Sequence, residues 1–216
     1  MKAVIFDLDG TLLDTLEDIA DSMNAVLSRR GLPLNTTEDY KYFVGDGAAN
    51  LVRRAAKGAE SAGHTFAEIE DEYRAEYSAR QIDKTAPYPG IPELLSSLAG
   101  HGVKMAVFSN KPHDSTVEVV ARLLPDVYFC AVIGQRPGYP IKPDPGGVRE
   151  ILGILGLRRG DVLYVGDTGT DMQTAKAAGL KAAGVLWGFR GEAELIENGA
   201  DMVAKHPLEL LDLLGL

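Results

Sequence analysis

Lys2-Ala3-Val4-Ile5-Phe6-Asp7-Leu8-Asp9-Gly10-Thr11 is the stretch that decides the architecture of this chain. An apolar run rich in β-formers breaks abruptly into two carboxylates, a glycine and a hydroxyl. That pattern is a buried strand running into a loop. Such a strand cannot bury itself alone, so its partners must lie further along. They begin only past residue 85. Val103 to Phe108, Val127 to Ile133, Val162 to Val165 and Lys181 to Leu186 read as strands. Helical patterns separate them. One opens at Gly90-Ile91-Pro92, with Pro92 in the first turn. Others run from about Asp114 to Leu123, end near Leu155, and span about Asp171 to Ala178 before Gly179. A final helix is expected to run to the C-terminus. Alternation of this kind predicts an α/β fold, a parallel sheet flanked by helices.

The segment between the first strand and its partners is helical throughout. Leu16, Ile19, Ala20, Met23, Val26 and Leu27 recur at helical spacing, with Glu17, Asp18 and Asp21 in the early turns where the dipole favours them. Gly31 and Pro33 stop that helix. Thr37-Glu38-Asp39 reads as a helix start, Gly45-Asp46-Gly47 as a loop, Leu51 to Ala56 as helix, and Phe66, Ile69, Tyr73 and Tyr77 as a longer amphipathic helix. Pro87-Tyr88-Pro89-Gly90 then breaks the chain. The expected division is a core of residues 1–14 and 85–216, with residues 15–84 inserted as an all-helical cap.

Composition narrows the function classes. With 45% hydrophobic and 25% charged residues, the 216-residue chain is globular rather than disordered or fibrous. The net charge of −9 leaves no general basic surface for a nucleic-acid backbone. No segment approaches a membrane span of about 20 apolar residues. Four apolar residues before Asp7 are too few for a signal-peptide core. The single cysteine, Cys130, excludes an intrachain disulfide and a Cys-based zinc site, and its apolar surroundings predict a buried, inert thiol. The four histidines show no metal-ligand spacing. His64 and His101 read as surface residues, and His113 falls four residues after Ser109. A cytoplasmic protein, monomeric or homodimeric, is expected.

Ligands of an open parallel sheet bind beyond the carboxyl ends of its strands. Asp7, Asp9 and Thr11 follow the first predicted strand, Ser109 and Asn110 the second, and Asp167, Thr168 and Asp171 the fourth. Lys142 lies in the Gly- and Pro-rich loop after the third. Taken singly, each is ordinary: a surface Asp-x-Asp, a turn, a loop lysine, a helix cap. Their joint placement carries the weight. Asp7, Asp9 and Asp167 would make a dense negative cluster, which repulsion would open or protonate. A hard divalent cation resolves this, and an all-oxygen donor set suits Mg²⁺. The ion in turn recruits an oxyanion, most simply phosphate. Ser109 and Asn110 are donors for phosphoryl oxygens, and Lys142 offsets charge shared by carboxylate and phosphate. Asp7 and Asp9 alternate faces in an extended strand, so both serve one site only if the chain bends, and Gly10 gives it that freedom. One carboxylate would attack phosphorus while the other moves protons.

These residues resemble the haloacid dehalogenase superfamily of phosphatases. Four motifs occur in order: Asp7-Leu8-Asp9-Gly10-Thr11-Leu12 with Asp14 beyond, Ser109-Asn110, Lys142-Pro143, and Gly166-Asp167-Thr168-Gly169-Thr170-Asp171. The resemblance covers nearly the whole chain. It implies a Rossmann-like core with a helical cap between motifs one and two. It implies Asp7 as nucleophile and metal ligand, and Asp9 as general acid/base that also ligates through its backbone carbonyl. Thr11, Ser109 and Asn110 are implied substrate-binding residues, Lys142 joins nucleophile to phosphate, and Asp167 completes the Mg²⁺ ligands, with Asp171 supporting or joining them. The acid at Asp9 looks like the phosphomonoesterases rather than the dehalogenases or phosphonate-cleaving members. Tyr42 to Ala48, Tyr88-Pro89-Gly90 and Gly184 to Arg190 look like phosphoglycolate phosphatases. In that likeness Gly45 and Gly47 let a cap loop approach a small phosphorylated substrate, and Arg53 or Arg190 would bind a carboxylate as a planar fork. A pyrophosphatase, a nucleotide monophosphatase, a sugar-phosphate mutase and a catalytically silent binding protein remain open alternatives.

Overall fold

The computed structural model describes residues 1–216. In chain order the elements are β1 (Ala3–Phe6), β2 (Leu13–Asp14), α1 (Leu16–Arg29), α2 (Thr37–Phe43), α3 (Ala48–Ala55), α4 (Phe66–Arg80), β3 (Ala86–Pro87), α5 (Ile91–Gly100) and β4 (Lys104–Pro112). They continue as α6 (His113–Leu123), β5 (Ala131–Gln135), α7 (Gly146–Leu155), β6 (Val162–Gly166), α8 (Gly169–Ala178), β7 (Lys181–Val185), α9 (Glu192–Glu197), β8 (Met202–Ala204) and α10 (Glu209–Leu214). The chain forms two compact units, residues 1–14 with 87–216, and residues 15–86.

The first unit is a six-stranded parallel sheet in the order β5-β4-β1-β6-β7-β8. β1 sits between β4 and β6, so the strand order reverses beside it. That reversal opens a crevice at the carboxyl ends of these three strands. On one face Ala3, Ile5, Ala106, Phe108, Ile133 and Tyr164 pack with Val148 and Ile151 of α7 and Met172 and Ala175 of α8. The alternate residues Val4, Phe6, Val107 and Val165 are buried as well, which is why these strands read as continuous apolar runs.

In the second unit α1 packs on α2 and α4, and α3 packs on α2 and α4. Two capping boxes start its helices, Thr36 with Asp39 and Thr65 with Glu68. Asp18 of α1 is 1% exposed. Its carboxylate accepts from the backbone N–H of Lys84 and Thr85 and from the Thr85 hydroxyl, at 2.7 to 3.1 Å. The first helix thus holds the last segment of its own unit.

Several expectations change. The expected final helix is two short helices with β8 between them, added beside β7. Three residues are too few to show a period, and only the open edge of β7 makes them a strand. The strand expected at Val127 to Ile133 is displaced to β5, because Val127 N–H closes a turn onto the Leu124 carbonyl and delays pairing. Cys130 is accordingly half-buried at the core margin rather than enclosed. His64 is partly buried, its ring against Arg30, and not a free surface residue. No helix is long and apolar enough to cross a membrane.

Asp18→Ala would leave the Lys84 and Thr85 donors without their acceptor. A loss of about 2 kcal/mol is expected for hydrogen bonds to a buried charged group. Urea denaturation followed by circular dichroism should show a lower midpoint, and an unchanged curve would remove Asp18 as the tie.

Candidate active site

The site begins where β1 ends. Asp7 N–H donates to the Val165 carbonyl at 2.9 Å, which continues the sheet pairing to the catalytic candidate itself. Beyond it the chain hooks. The Leu8 carbonyl accepts from the N–H groups of Thr11, Leu12 and Leu13, and Gly10 turns with φ 84°. This is the bend that Asp7 and Asp9 require if both are to reach the strand end. Gly10 is doubly constrained, because a Cβ there would also lie 2.4 Å from Asp167 Oδ2.

β4 delivers Ser109, Asn110 and Lys111 through an irregularity. Its register with β5 shifts between Phe108 and Pro112, a bulge of the kind that re-aims side chains at sheet ends. Asn110 Oδ1 accepts from Lys142 N–H at 2.8 Å, and Asn110 Nδ2 donates to the Lys142 carbonyl at 3.3 Å. Its amide therefore clasps the loop that carries Lys142. Ser109 Oγ accepts from Lys111 N–H at 3.2 Å. The Lys111 ammonium lies 3.1 Å from Asp9 Oδ1. Lys111 thereby joins the candidate site, although nothing in the sequence around it marks it out.

Lys142 is 2% exposed and lies 2.9 Å from Asp7 Oδ1 and 2.7 Å from Asp171 Oδ1. Asp171 Oδ1 also accepts from the Tyr164 hydroxyl at 3.2 Å. Asp171 Oδ2 accepts from Thr168 N–H at 3.1 Å and from its hydroxyl at 2.7 Å, as part of the capping box that starts α8. Asp167 is held from both sides. Thr11 Oγ1 donates to its Oδ1 at 3.0 Å, and Phe189 N–H donates to its Oδ2 at 2.9 Å. The loop after β7 is seated by Trp187 Nε1, which donates to the Thr11 carbonyl at 2.9 Å. Gly188 lies so close that a Cβ would meet the Gly10 carbonyl oxygen at 2.3 Å and Asp167 Cβ at 2.4 Å.

One carboxylate oxygen each from Asp7, Asp167 and Asp171 falls within 4.8 Å of the others, and all three residues are buried. Burial, then the charge of Asp171, raises the Asp7 carboxyl well above its ordinary range, with Lys142 opposing. The same two causes push Asp167 up to about 7. Burial alone would lower the Lys142 ammonium, but Asp171 and Asp7 outweigh it and hold the group well above its usual value. Three carboxylates face one ammonium, so the ionised cluster carries two uncompensated negative charges. A single divalent cation cancels that excess, and the oxygen-only donors suit a hard ion.

The remaining candidates lie elsewhere or in supporting positions. His113 Nδ1 accepts from Gly134 N–H at 3.3 Å, a link between α6 and β5. Arg190 stands 3.3 Å from Glu194 at the start of α9. In the helical unit Gly45 and Gly47 both have positive φ, Gly47 precedes α3, and Arg53 is exposed on that helix.

The family model of the haloacid dehalogenase-like hydrolases matches residues 4–185. The chain belongs to that family. As a haloacid dehalogenase-like hydrolase it is an enzyme. It is 32% identical over 214 residues to the phosphoglycolate phosphatase of Aquifex aeolicus, a match covering 99% of this chain and 97% of the relative. It is 31% identical over 213 residues to phosphoglycolate phosphatase 1 of Pseudomonas aeruginosa, covering 97% and 78%. The crystal structure of a predicted phosphoglycolate phosphatase from Haemophilus somnus superposes with a TM-score of 0.91 at 26% identity, over 99% of this chain and 98% of that one. The Rossmann-like parallel sheet with inserted helices is thus the fold of this hydrolase family.

Two outcomes follow from the cluster. Gly188→Ala would displace Asp167, and loss of such outer support commonly costs tenfold or more in metal affinity. Titration with MgCl₂, followed by the fluorescence of Trp187, the sole tryptophan, should show a half-saturation about tenfold higher. Metal-free protein should also lose stability as pH rises. Asp167 holds its proton more tightly folded than unfolded, so ionisation costs stability from about pH 4, near the unfolded value. The cost is complete above about 7. Because protons and cation compete, the thermal midpoint gained from Mg²⁺ should grow from pH 5 to pH 8. A gain independent of pH would detach the cation from these carboxylates.

Proposed function

We propose that this hydrolase is a Mg²⁺-dependent phosphatase that acts on a small phosphorylated metabolite, phosphoglycolate or a near analogue, through a phosphorylated Asp7. The observation that carries the reading is the buried cluster with its two surplus negative charges. Such a cluster is costly unless a cation completes it, and a cation held there gives an incoming phosphoryl anion its counter-charge. The names of the two curated relatives support the phosphoglycolate assignment.

Asp7 and Asp167, with the Asp9 backbone carbonyl, are the proposed holders of Mg²⁺, and the ion supplies neutralisation of phosphoryl oxygens when bound. The steps themselves belong to the side chains. An Asp7 carboxylate oxygen attacks phosphorus as the bond to the leaving alkoxide breaks. Asp9 gives that oxygen its proton. Asp9 then takes a proton from water, whose oxygen attacks phosphorus and releases Asp7 and inorganic phosphate. Lys142, already on Asp7 Oδ1, keeps the nucleophile oriented and offsets charge gathering in the transition state. Ser109, whose Oγ accepts from Lys111 N–H and keeps its own proton, is the proposed hydroxyl donor of the phosphoryl pocket. Thr11, whose one hydroxyl proton goes to Asp167, enters the proposal by holding that acid beside the substrate. Asn110 contributes by fixing the Lys142 loop. Gly45, Gly47 and Arg53 enter the proposal as residues that tune substrate preference.

Purified protein with Mg²⁺ should release phosphate from p-nitrophenyl phosphate, and EDTA should abolish the release. Asp9→Asn should lower kcat by about 10²- to 10⁴-fold, the usual worth of a general acid–base group. Phosphate release by metal-free Asp7→Asn would eliminate the proposed nucleophile. In a panel of phosphoglycolate, pyrophosphate, nucleoside monophosphates and sugar phosphates, phosphoglycolate should rank first in kcat/KM. Another leader would keep the chemistry and change the substrate.

A further inference from the structure

Tyr164 is a buried residue that the mechanism above leaves unused. It lies on β6, fully buried, in a strand whose neighbours Val162, Leu163 and Val165 are all apolar. Most of its ring belongs to the sheet core, packed with the residues of α7 and α8. Its hydroxyl is the exception. At 3.2 Å from Asp171 Oδ1, it meets the same oxygen that Lys142 occupies at 2.7 Å.

The arrangement around Asp171 explains why that second donor matters. A carboxylate offers about four lone-pair directions. Here Lys142 and Tyr164 fill those of Oδ1, and the N–H and hydroxyl of Thr168 fill those of Oδ2. Gly166, one strand position before Asp167, makes room for this: a Cβ there would lie 2.4 Å from Asp171 Cβ. The carboxylate is therefore pinned at both ends and cannot swing with the lysine it holds. Without the phenol, Oδ1 would answer to Lys142 alone, and the ammonium would be freer to leave Asp7.

We propose that Tyr164 is a positioning residue for the reaction, acting through Asp171 to keep Lys142 on the nucleophile Asp7. The assignment rests on the phosphatase reading given above. It makes the sheet core itself part of the catalytic machinery, since a side chain facing the packed layer sets the position of an ammonium at the strand ends. It also gives Asp171 a role in which its oxygens serve donors from the protein rather than the cation.

Tyr164→Phe keeps the ring and deletes one hydrogen bond to a charged acceptor. Wild type and variant are compared on p-nitrophenyl phosphate with MgCl₂ varied. The expected result is a fall in kcat of about tenfold, as the loss of such a bond implies. KM and the Mg²⁺ half-saturation should stay at their wild-type values. In an Asp171→Asn background the same substitution should cost little more, because residues acting in one chain are not additive. An unchanged kcat in Tyr164→Phe overturns the proposal. So does a loss that multiplies in the Asp171→Asn background, or one that appears as weakened Mg²⁺ binding measured by Trp187 fluorescence. Wild-type protein that releases no phosphate would instead remove the phosphatase reading, which separates the two failures.

Discussion

Lys142 bridges Asp7 and Asp171 across less than 3 Å on either side, with its ammonium almost wholly shielded from water. That three-charge contact is the constraint around which the first unit is built. Charges buried together persist only when each has a partner and each remaining lone pair or proton is satisfied. The lysine partly satisfies Asp7, and Asp171 would be an unpaired buried charge without it. Asn110 holds the lysine loop by both its backbone groups, Thr168 caps the far side of Asp171, and Thr11 and Phe189 hold Asp167. The same contact leaves an imbalance of sign. Three buried acids against one ammonium define a place for positive charge, and the raised pKa values of Asp7 and Asp167 express how unwelcome their ionisation is in its absence.

Closeness of this order sets demands on the backbone. Gly10, Gly166 and Gly188 all sit where a methyl group would intrude within 2.4 Å of a site residue. Only Gly10 among the three also needs a left-handed conformation. At Gly166 and Gly188 the requirement is space alone. The parallel sheet supplies the convergence: β4, β1 and β6 are adjacent, and the reversal of strand order at β1 turns their carboxyl ends toward one crevice. The bulge in β4 then turns a regular strand into a platform from which Ser109, Asn110 and Lys111 depart.

Much of this was legible in the residues themselves. The run from Ala3 to Phe6 had to be a central strand, because nothing local could bury it, and the four groups of polar residues after successive strands had to share an edge. The bend at Asp7 to Asp9 followed from strand periodicity and the glycine beside it. Other features had no such signature. Lys111 follows Ser109-Asn110 as an ordinary strand-end lysine, and its pairing with Asp9 depends on a register shift that no local pattern encodes. Tyr164 alone offered a hint, a phenol in an otherwise apolar strand, since a buried tyrosine needs a partner for its hydroxyl. β8 is three residues long and exists because β7 leaves an edge to pair with.

The sequence by itself therefore determined the order of strands and helices, the family, and the acids and lysine that meet at the strand ends, because periodicity and residue chemistry act over short stretches of chain. Only the tertiary structure decided how those groups divide their contacts: that Asn110 clasps a loop, that Lys111 rather than Lys142 faces Asp9, and that Asp171 gives its oxygens to Lys142, Tyr164 and Thr168. Those choices turn on close contacts between segments far apart in the chain. Such contacts arise only when the sheet, the bulge and the glycine gaps are packed together.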